Sequence, residues 1–236
     1  MFRKLICNLL LDVHPIVTNR FTHPLSSKLI HQFYLNPKTI YVEYIDEKDV
    51  LLQKFNITNI NSVLAAAVLN NKLCIVKWCV KNLADTHYQD DMALWIASQY
   101  GHLEIVRLLL AANANIHTDD DRALCLASQR GHPEVVKLLL EKGANVHARN
   151  GWPLFYAAKN SNIEVMKVLI TAGANIHHQN DLALCLASEN GRLEVVKLLL
   201  ENGADADALD GYALRSAEEN NHTEIVQLLK QYSKNA

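Results

Sequence analysis

Apolar residues recur along this chain in short segments separated by polar turns, and these segments are of two kinds. In residues 133–141, apolar side chains follow at spacings of three and four, which predicts a helix with a broad buried stripe. In residues 122–129, one face carries small residues, so a neighbouring helix can approach closely. The pattern therefore predicts two short helices joined by a turn.

The same two apolar segments recur every 30 residues. The columns that mark the period are Leu94, Leu124, Leu154, Leu184 and Leu214; Ala97, Ala127, Ala157, Ala187 and Ala217; and Gly101, Gly131, Ser161, Gly191 and Asn221. A fixed period of this length indicates one supersecondary unit that stacks on its neighbours, because a single copy cannot bury its own apolar face. Copies starting near residues 61, 91, 121, 151, 181 and 211 predict a repeat domain over residues 61–236.

Both ends of the second helix carry residues that suit them. Pro133 stands at the first helical position, where its missing N–H costs nothing. Glu134 and Lys137 follow in the order that complements the helix dipole. A left-handed residue is wanted after the helix, and that column holds Gly143, Gly173, Gly203 and Asn113. Because these substitutions follow the demands of the backbone, the repeat is structural.

Copies that read GHxEVVKLLLxxGAN resemble ankyrin repeats, a family of stacked protein-binding modules. The usual unit has about 33 residues and opens with T-P-L-H-x-A, whereas the openings here read RALCLAS, LALCLAS or MALWIAS. The resemblance places the missing residues where the family has a projecting β-hairpin, so we expect blunter tips. The usual capping threonine is also absent, and we expect Asp91, Asp121 and Asp181 to cap the first helices instead. The wording and period further resemble the ankyrin arrays of giant DNA viruses.

Residues 1–60 do not fit the repeat. Amphipathic patterns near the start, after Pro24 and over residues 46–55 predict further helices. The expected fold class is therefore all-α, an ankyrin-repeat solenoid with a mostly helical N-terminal cap, since solenoids need their apolar ends covered. The alternative is a separate recruitment module, because some viral ankyrin proteins join their repeats to a ubiquitin-ligase-binding segment.

Composition limits the classes of partner. The 236 residues are 50% hydrophobic with a formal net charge of −2, which lacks the basic footprint of a nucleic-acid binder. No apolar run reaches transmembrane length, and we interpret the short apolar start as an amphipathic helix rather than a signal peptide. Five cysteines without a C-x-x-C pattern favour free thiols in a reducing compartment. We expect a cytoplasmic monomer (in the host cytoplasm if viral) that binds neither nucleic acid nor membrane.

No catalytic or cofactor-binding motif occurs in the sequence, and we expect a non-enzyme without cofactors or metal. The most tempting feature is a histidine column: His87, His117, His147 and His177. Stacked helices lie about 10 Å apart, too far for these residues to share one metal, so we expect a hydrogen-bonded ladder. Cys125 with a nearby histidine could imitate a nucleophile, but a cysteine on an apolar helix face is more often an inert small hydrophobe.

Other columns vary freely between copies, at the opening and the end of the first helix. The resemblance implies that the first helix and the hairpin line a concave groove that binds a partner protein. The candidate contacts are Trp95, Tyr100, Arg122, Arg130, Trp152, Tyr156 and Tyr212, of the residue types that dominate interface energy. Core packing is the alternative role for Trp95 and Phe155. At the tips, Asp119, Asp120, Asp121 and Asp181 predict an acidic edge that favours a basic partner.

The expected function is a protein–protein interaction scaffold that binds its partner through the concave groove. The alternative is an adaptor whose residues 1–60 recruit a ubiquitin ligase or other machinery to the bound target.

Overall fold

A computed structural model describes residues 60–82 and 84–233, so the predictions about residues 1–59 lie outside the described residues. The described residues form helices and no strand. The helices are α1 (Ile60–Leu69), α2 (Leu73–Lys81), α3 (Tyr88–Gln99), α4 (Leu103–Ala111), α5 (Thr118–Arg130), α6 (Pro133–Glu141), α7 (Ala148–Lys159), α8 (Ile163–Thr171), α9 (Leu182–Glu189), α10 (Leu193–Glu201), α11 (Ala208–Glu219) and α12 (Thr223–Tyr232).

The helices form a single row of antiparallel pairs. Each odd-numbered helix is the first helix of a copy and packs against the first helices of the neighbouring copies, while the even-numbered helices form a second layer. This arrangement confirms the predicted helical repeat solenoid. The second helix of the third copy begins and ends at the predicted residues, Pro133 and Glu141.

The core is a continuous apolar layer between the two rows of helices. In the third copy, Val136 and Leu139 of α6 meet Leu124 and Ala127 of α5, and all four side chains are fully buried. The same columns are buried in the neighbouring copies, so each copy covers the apolar face of the next. Burying one leucine contributes about 1.5–3 kcal/mol. Leu214, in the last copy, is only half-buried, because no further copy follows within the described residues.

The tight turn between the two helices of the third copy favours glycine for two reasons. Gly131 has a φ of 80°, in the left-handed region that glycine enters without steric cost. A Cβ at this position would also lie 2.7 Å from the side-chain oxygen of Asn162 in the next copy. The left-handed conformation predicted for this column and for the column after the second helix is confirmed.

Successive copies are joined by a left-handed turn rather than a β-hairpin. Three consecutive residues have positive φ in each connection, for example 52°, 49° and 55° at Asp119, Asp120 and Asp121. These turns occupy residues 89–91, 119–121, 149–151, 179–181 and 209–211. Left-handed backbone costs about 1–2 kcal/mol per ordinary residue, and glycine, asparagine and aspartate tolerate it best. Most of the positions hold these residues, which explains how the connection can be so short and blunt.

The prediction that aspartates cap the first helices is wrong. Asp181 stands at the N-cap position of α9 without a side-chain capping hydrogen bond, and Asp121 is 3% exposed within α5. Its carboxylate instead accepts the backbone N–H of Asn145, in the segment that leads from α6 into the next copy, at 3.1 Å, and lies 3.2 Å from Nδ1 of His117. Asp91 and Asp181 accept the N–H groups of Asn115 and Asp205 in the same way, at 2.7 and 3.2 Å.

In the first copy, an asparagine takes the place of this aspartate. The side-chain oxygen of Asn61 accepts the backbone N–H of Asp85 at 2.8 Å. An amide oxygen therefore serves as the acceptor as well as a carboxylate does, and the feature common to these joints is a side-chain oxygen that receives a backbone N–H 24 residues later.

One joint of the stack lacks this bond. Gly151 stands in the aspartate column of the fourth copy, and His178 packs beside it, so that a Cβ on Gly151 would lie 3.2 Å from Cγ of the histidine. The second helices α8 and α10, on either side of the same joint, also have the sparsest contact among neighbouring second helices. The joint between the fourth and fifth copies is therefore held mainly by apolar packing.

Replacing Asp121 by glycine should lower the free energy of unfolding by about 1–3 kcal/mol, because the N–H of Asn145 loses its acceptor. Glycine keeps the left-handed backbone without strain, as it does at position 151. Asp121→Asn should cost less, since the amide oxygen can still accept. Urea denaturation followed by circular dichroism measures the change. Asp90→Gly, at an exposed left-handed position, controls for glycine itself, and equal losses at positions 90 and 121 would contradict the bond's role.

Replacing Leu139 by alanine should cost about 2–5 kcal/mol, because the side chain is fully buried and its removal leaves a cavity. The half-buried Leu140 next to it provides a matched control that should lose less on the same change. Denaturation midpoints of the two variants decide the matter: an unchanged midpoint for Leu139→Ala would refute its place in the core.

Candidate functional site

The exposed sides of the first helices together form one surface, which we call the first-helix face. In α7 it consists of Trp152, Tyr156, Lys159 and Asn160, at spacings that place them on one side of a helix. On the opposite side, residues such as Leu154 are buried in the core. The corresponding columns of the other copies continue this surface along the stack.

An aromatic cluster lies at the centre of the face. Trp152 is 40% exposed, and its ring meets the ring of Tyr156 edge-on, with centroids 5.4 Å apart. Phe155 packs against Tyr156 in the same way, at 5.3 Å. Cations flank the cluster, with the Arg149 guanidinium 5.3 Å from the Trp152 ring and the Lys159 ammonium 5.9 Å from the Tyr156 ring. Exposed aromatic faces next to cations can accept both apolar and anionic groups.

Two further predicted contacts meet across adjacent copies. The Arg122 guanidinium lies 4.3 Å from the centroid of the Trp95 ring, a cation–π distance. Trp95 is half-buried and packs against the core, as the alternative interpretation of this residue holds. Arg122 keeps part of its surface exposed and also lies 3.4 Å from a carboxylate oxygen of Asp119.

Tyr100 and Arg130 occupy the same column at the ends of α3 and α5. Together with Gln99 and His132 they line an open depression of about 440 Å³. The side chain of Tyr100 is 51% exposed and its ring stacks on that of His102 with centroids 6.0 Å apart. Arg130 is exposed and makes no ion pair with the described residues. Both side chains are therefore available to a ligand.

Tyr212 lies apart from the other predicted contacts, two copies beyond Trp152 in the same column. It is 40% exposed, and its hydroxyl donates a hydrogen bond to Glu189 at 3.3 Å. The negative charge of Glu189 raises the pKa of the Tyr212 hydroxyl. Trp95, Arg122, Trp152 and Tyr156 thus lie near the middle of the described stack, whereas Tyr212 belongs to its C-terminal part.

Sequence reasoning missed an apolar row on this face. Ile96, Leu126 and Leu186 share the column of Tyr156 and are half-exposed. It also missed Arg149 and Lys159, which flank the aromatic cluster. The signal was available in part, because Ile96 and Leu126 lie four residues from the predicted contacts Tyr100 and Arg122, and Lys159 lies three residues from Tyr156.

The family assignment rests on a match over most of the chain. The family model described as ankyrin repeats (3 copies) matches residues 63–150 and 154–236. The chain belongs to the ankyrin-repeat family. Ankyrin repeats are non-catalytic modules that mediate protein–protein interaction. A search of curated proteins returned no match.

The predicted acidic edge of this ankyrin stack is present only in part, since Asp119 and Asp120 are exposed at the tip whereas Asp121 and Asp181 are buried. Asp121 and Asp181 are 3% and 4% exposed and serve the joints between copies. Arg149, in the next copy, lies 2.5 Å from a carboxylate oxygen of Asp119 and donates its backbone N–H to Asp120 at 2.7 Å. The expectation of a basic partner at the ankyrin tips therefore loses its support, because these carboxylates are buried or already engaged.

The histidine column pairs with the aspartates of the joints. Nδ1 of His87, His117 and His177 lies 3.0–3.2 Å from the carboxylate of the aspartate four residues later. Three of the four predicted histidines therefore form hydrogen bonds, and these run to aspartates; His147 has Gly151 in the place of the aspartate. Over residues 60–82 and 84–233, no group of three or more histidine, cysteine or acidic residues is placed to hold a metal. None of the helices described is long and apolar enough to cross a membrane.

The described cysteines of the ankyrin stack are free thiols. Cys79, Cys125 and Cys185 are buried, whereas Cys74 is exposed. Burial raises the pKa of Cys79 and of Cys125 to about 12, and it also raises the pKa of Cys185. Since the thiolate is the reactive form, these groups are poor nucleophiles near neutral pH.

At pH 8, Cys125 of the folded protein should react with iodoacetamide about a hundredfold or more slowly than Cys74, because it is buried and remains a thiol. In guanidinium chloride the two rates should become similar. Mass spectrometry of the proteolytic peptides measures both sites in one sample, so Cys74 is the internal control. Comparable rates in the folded state would show that Cys125 is reactive.

Proposed function

We propose that this protein is a protein–protein interaction scaffold that binds a partner protein through the first-helix face of its ankyrin stack. The observation that carries the proposal is the aromatic cluster, in which Trp152 leaves 40% of its surface exposed beside Tyr156. A solvent-exposed tryptophan ring at the centre of a continuous face is typical of an interaction site.

The distribution of exposed large apolar side chains supports the same face. Among the described residues these are Tyr100, Trp152, Leu209, Tyr212 and Tyr232. Three of the five, Tyr100, Trp152 and Tyr212, belong to the first-helix face and were candidates from the sequence. The fixed columns of the repeat are buried in the core, so the freely varying columns are those that a partner can reach.

Preorganisation also favours binding at this cluster. The Trp152 ring is held between Tyr156 and Arg149, and Arg122 lies over Trp95 in a neighbouring part of the face. Side chains that are already held in place lose little freedom when a partner covers them. The face therefore offers anchors at a low entropic cost.

Several finer parts of the proposal come from the sequence alone. These are the monomeric state, a cytoplasmic location, the resemblance to arrays of giant DNA viruses, and the division into a cap over residues 1–60 and repeats over residues 61–236. The adaptor alternative concerns the same N-terminal segment, and no described contact favours it over the scaffold.

A double substitution of Trp152 and Arg122 by alanine should weaken binding of the partner at least about thirtyfold, because tryptophan and arginine anchors each contribute about 2 kcal/mol or more. The partner is first captured from the cell that expresses the protein, and its affinity is then measured by calorimetry. Tyr232→Ala is the matched control, since it removes an exposed ring from a second helix.

Circular dichroism should show unchanged helicity in the double variant, because both side chains lie at the surface of α5 and α7. Binding of the double variant at full strength would move the site away from the first-helix face.

A further inference from the structure

Charges on the first-helix face are segregated along the stack. The column that ends the first helices reads Gln99, Gln129, Lys159, Glu189 and Glu219, so it changes from neutral to basic to acidic. Arg122 and Arg130 add two cations to the third copy, next to Lys159 in the fourth. The formal net charge of −2 hides this separation, because it averages over both halves.

The cations of the third and fourth copies, Arg122, Arg130 and Lys159, form what we call the basic half of the face. Arg130 is exposed and pairs with no described carboxylate, and Lys159 lies over the Tyr156 ring rather than beside an acidic group. The carboxylates at the nearby tip are already engaged, since Arg149 holds both Asp119 and Asp120 and Arg122 lies 3.4 Å from Asp119. Arg130 and Lys159 are thus the cations of the basic half that pair with no described carboxylate. This part of the face therefore presents positive charge around an aromatic centre.

The acidic half covers the fifth and sixth copies. Glu189 accepts the hydrogen bond of Tyr212, and Glu219 is exposed in the same column. Arg215 in this region donates to the backbone carbonyls of Asp210 and Leu209 and is thereby held at the tip. A long polyanion laid along the whole face would meet these carboxylates, so the arrangement disfavours nucleic acid and favours a short anionic segment.

We infer that the partner presents an acidic peptide segment to the basic half, with an apolar side chain seated on the aromatic cluster and carboxylates paired with Arg130 and Lys159. The inference rests on the proposed function and names the chemistry of its partner. Trp152 and Lys159 are seven residues apart on one helix, or about 10 Å along its axis. An extended peptide covers this distance in about three residues, which sets the spacing between its apolar anchor and an acidic side chain.

Selection from a phage-displayed library of random 16-residue peptides tests the inference on the full chain. The wild type should enrich peptides with net negative charge and an aromatic or aliphatic anchor. Affinities of the enriched peptides, measured by fluorescence anisotropy, should fall tenfold or more in the variant with Arg130→Glu and Lys159→Glu. They should also weaken as salt rises, because the pairs at this surface are screened. Enrichment of neutral or basic peptides would overturn the inference.

A charge-reversal control, the double alanine variant and an oligonucleotide separate the possible outcomes. The pair Lys137→Glu and Lys197→Glu makes the same change in net charge on the second helices, and it should leave the affinities unchanged. Some peptides could lose affinity for the Trp152→Ala, Arg122→Ala variant but not for the Arg130→Glu, Lys159→Glu variant. That result would support the first-helix face as the binding site and overturn the preference for acidic peptides. Peptides that bind both variants as tightly as the wild type would overturn the proposed function as well, and so would the absence of any enriched peptide. If a single-stranded oligonucleotide bound as tightly as the acidic peptides, the basic half would be a general polyanion site, and the inferred preference for a peptide would be wrong.

Discussion

A side-chain oxygen at the start of a first helix receives a backbone N–H from the segment that leads into the next copy, and this bond constrains how the copies of this protein stack. Apolar burial holds the helices together, but it has no direction, whereas the bond from Asn145 to Asp121 fixes the path of the chain between α6 and the first helix of the next copy. The left-handed turn makes the bond possible, because it turns the aspartate inward at the point where the next copy begins. Gly151 marks the one described joint between the first and fifth copies where this oxygen is missing.

Regular stacking turns positions in a 30-residue repeat into columns on a surface. Columns that face a neighbouring copy are fixed as leucine, alanine or glycine, and columns on the first-helix face are free to change. The aromatic cluster around Trp152 and the cations beside it occupy only free columns. Binding residues can therefore vary here with little effect on core packing, because most of them lie outside the core, and Trp95 is an exception that packs against it.

The short connection between copies also decides where a partner can bind. A left-handed turn of three residues projects less than a hairpin, and its carboxylates are buried in the joints or paired with Arg149. Little of the tip is left for recognition. The first helices must then provide most of the contacts, and their charges separate into a basic half near Arg130 and an acidic half near Glu219.

The sequence by itself determined the helical pairs, the left-handed residues after each helix and the family, because these depend on periodicity and local backbone demands. Pro133 and Gly143, for example, mark the ends of α6 from their own conformational limits. Only the tertiary structure showed that Asp121 holds the segment leading into the next copy, that Arg149 pairs with the carboxylates of the tip, and that Ile96 and Lys159 share a face with Trp152. Such contacts link groups that are 24 to 30 residues apart, and the rotation of one copy on the next decides them.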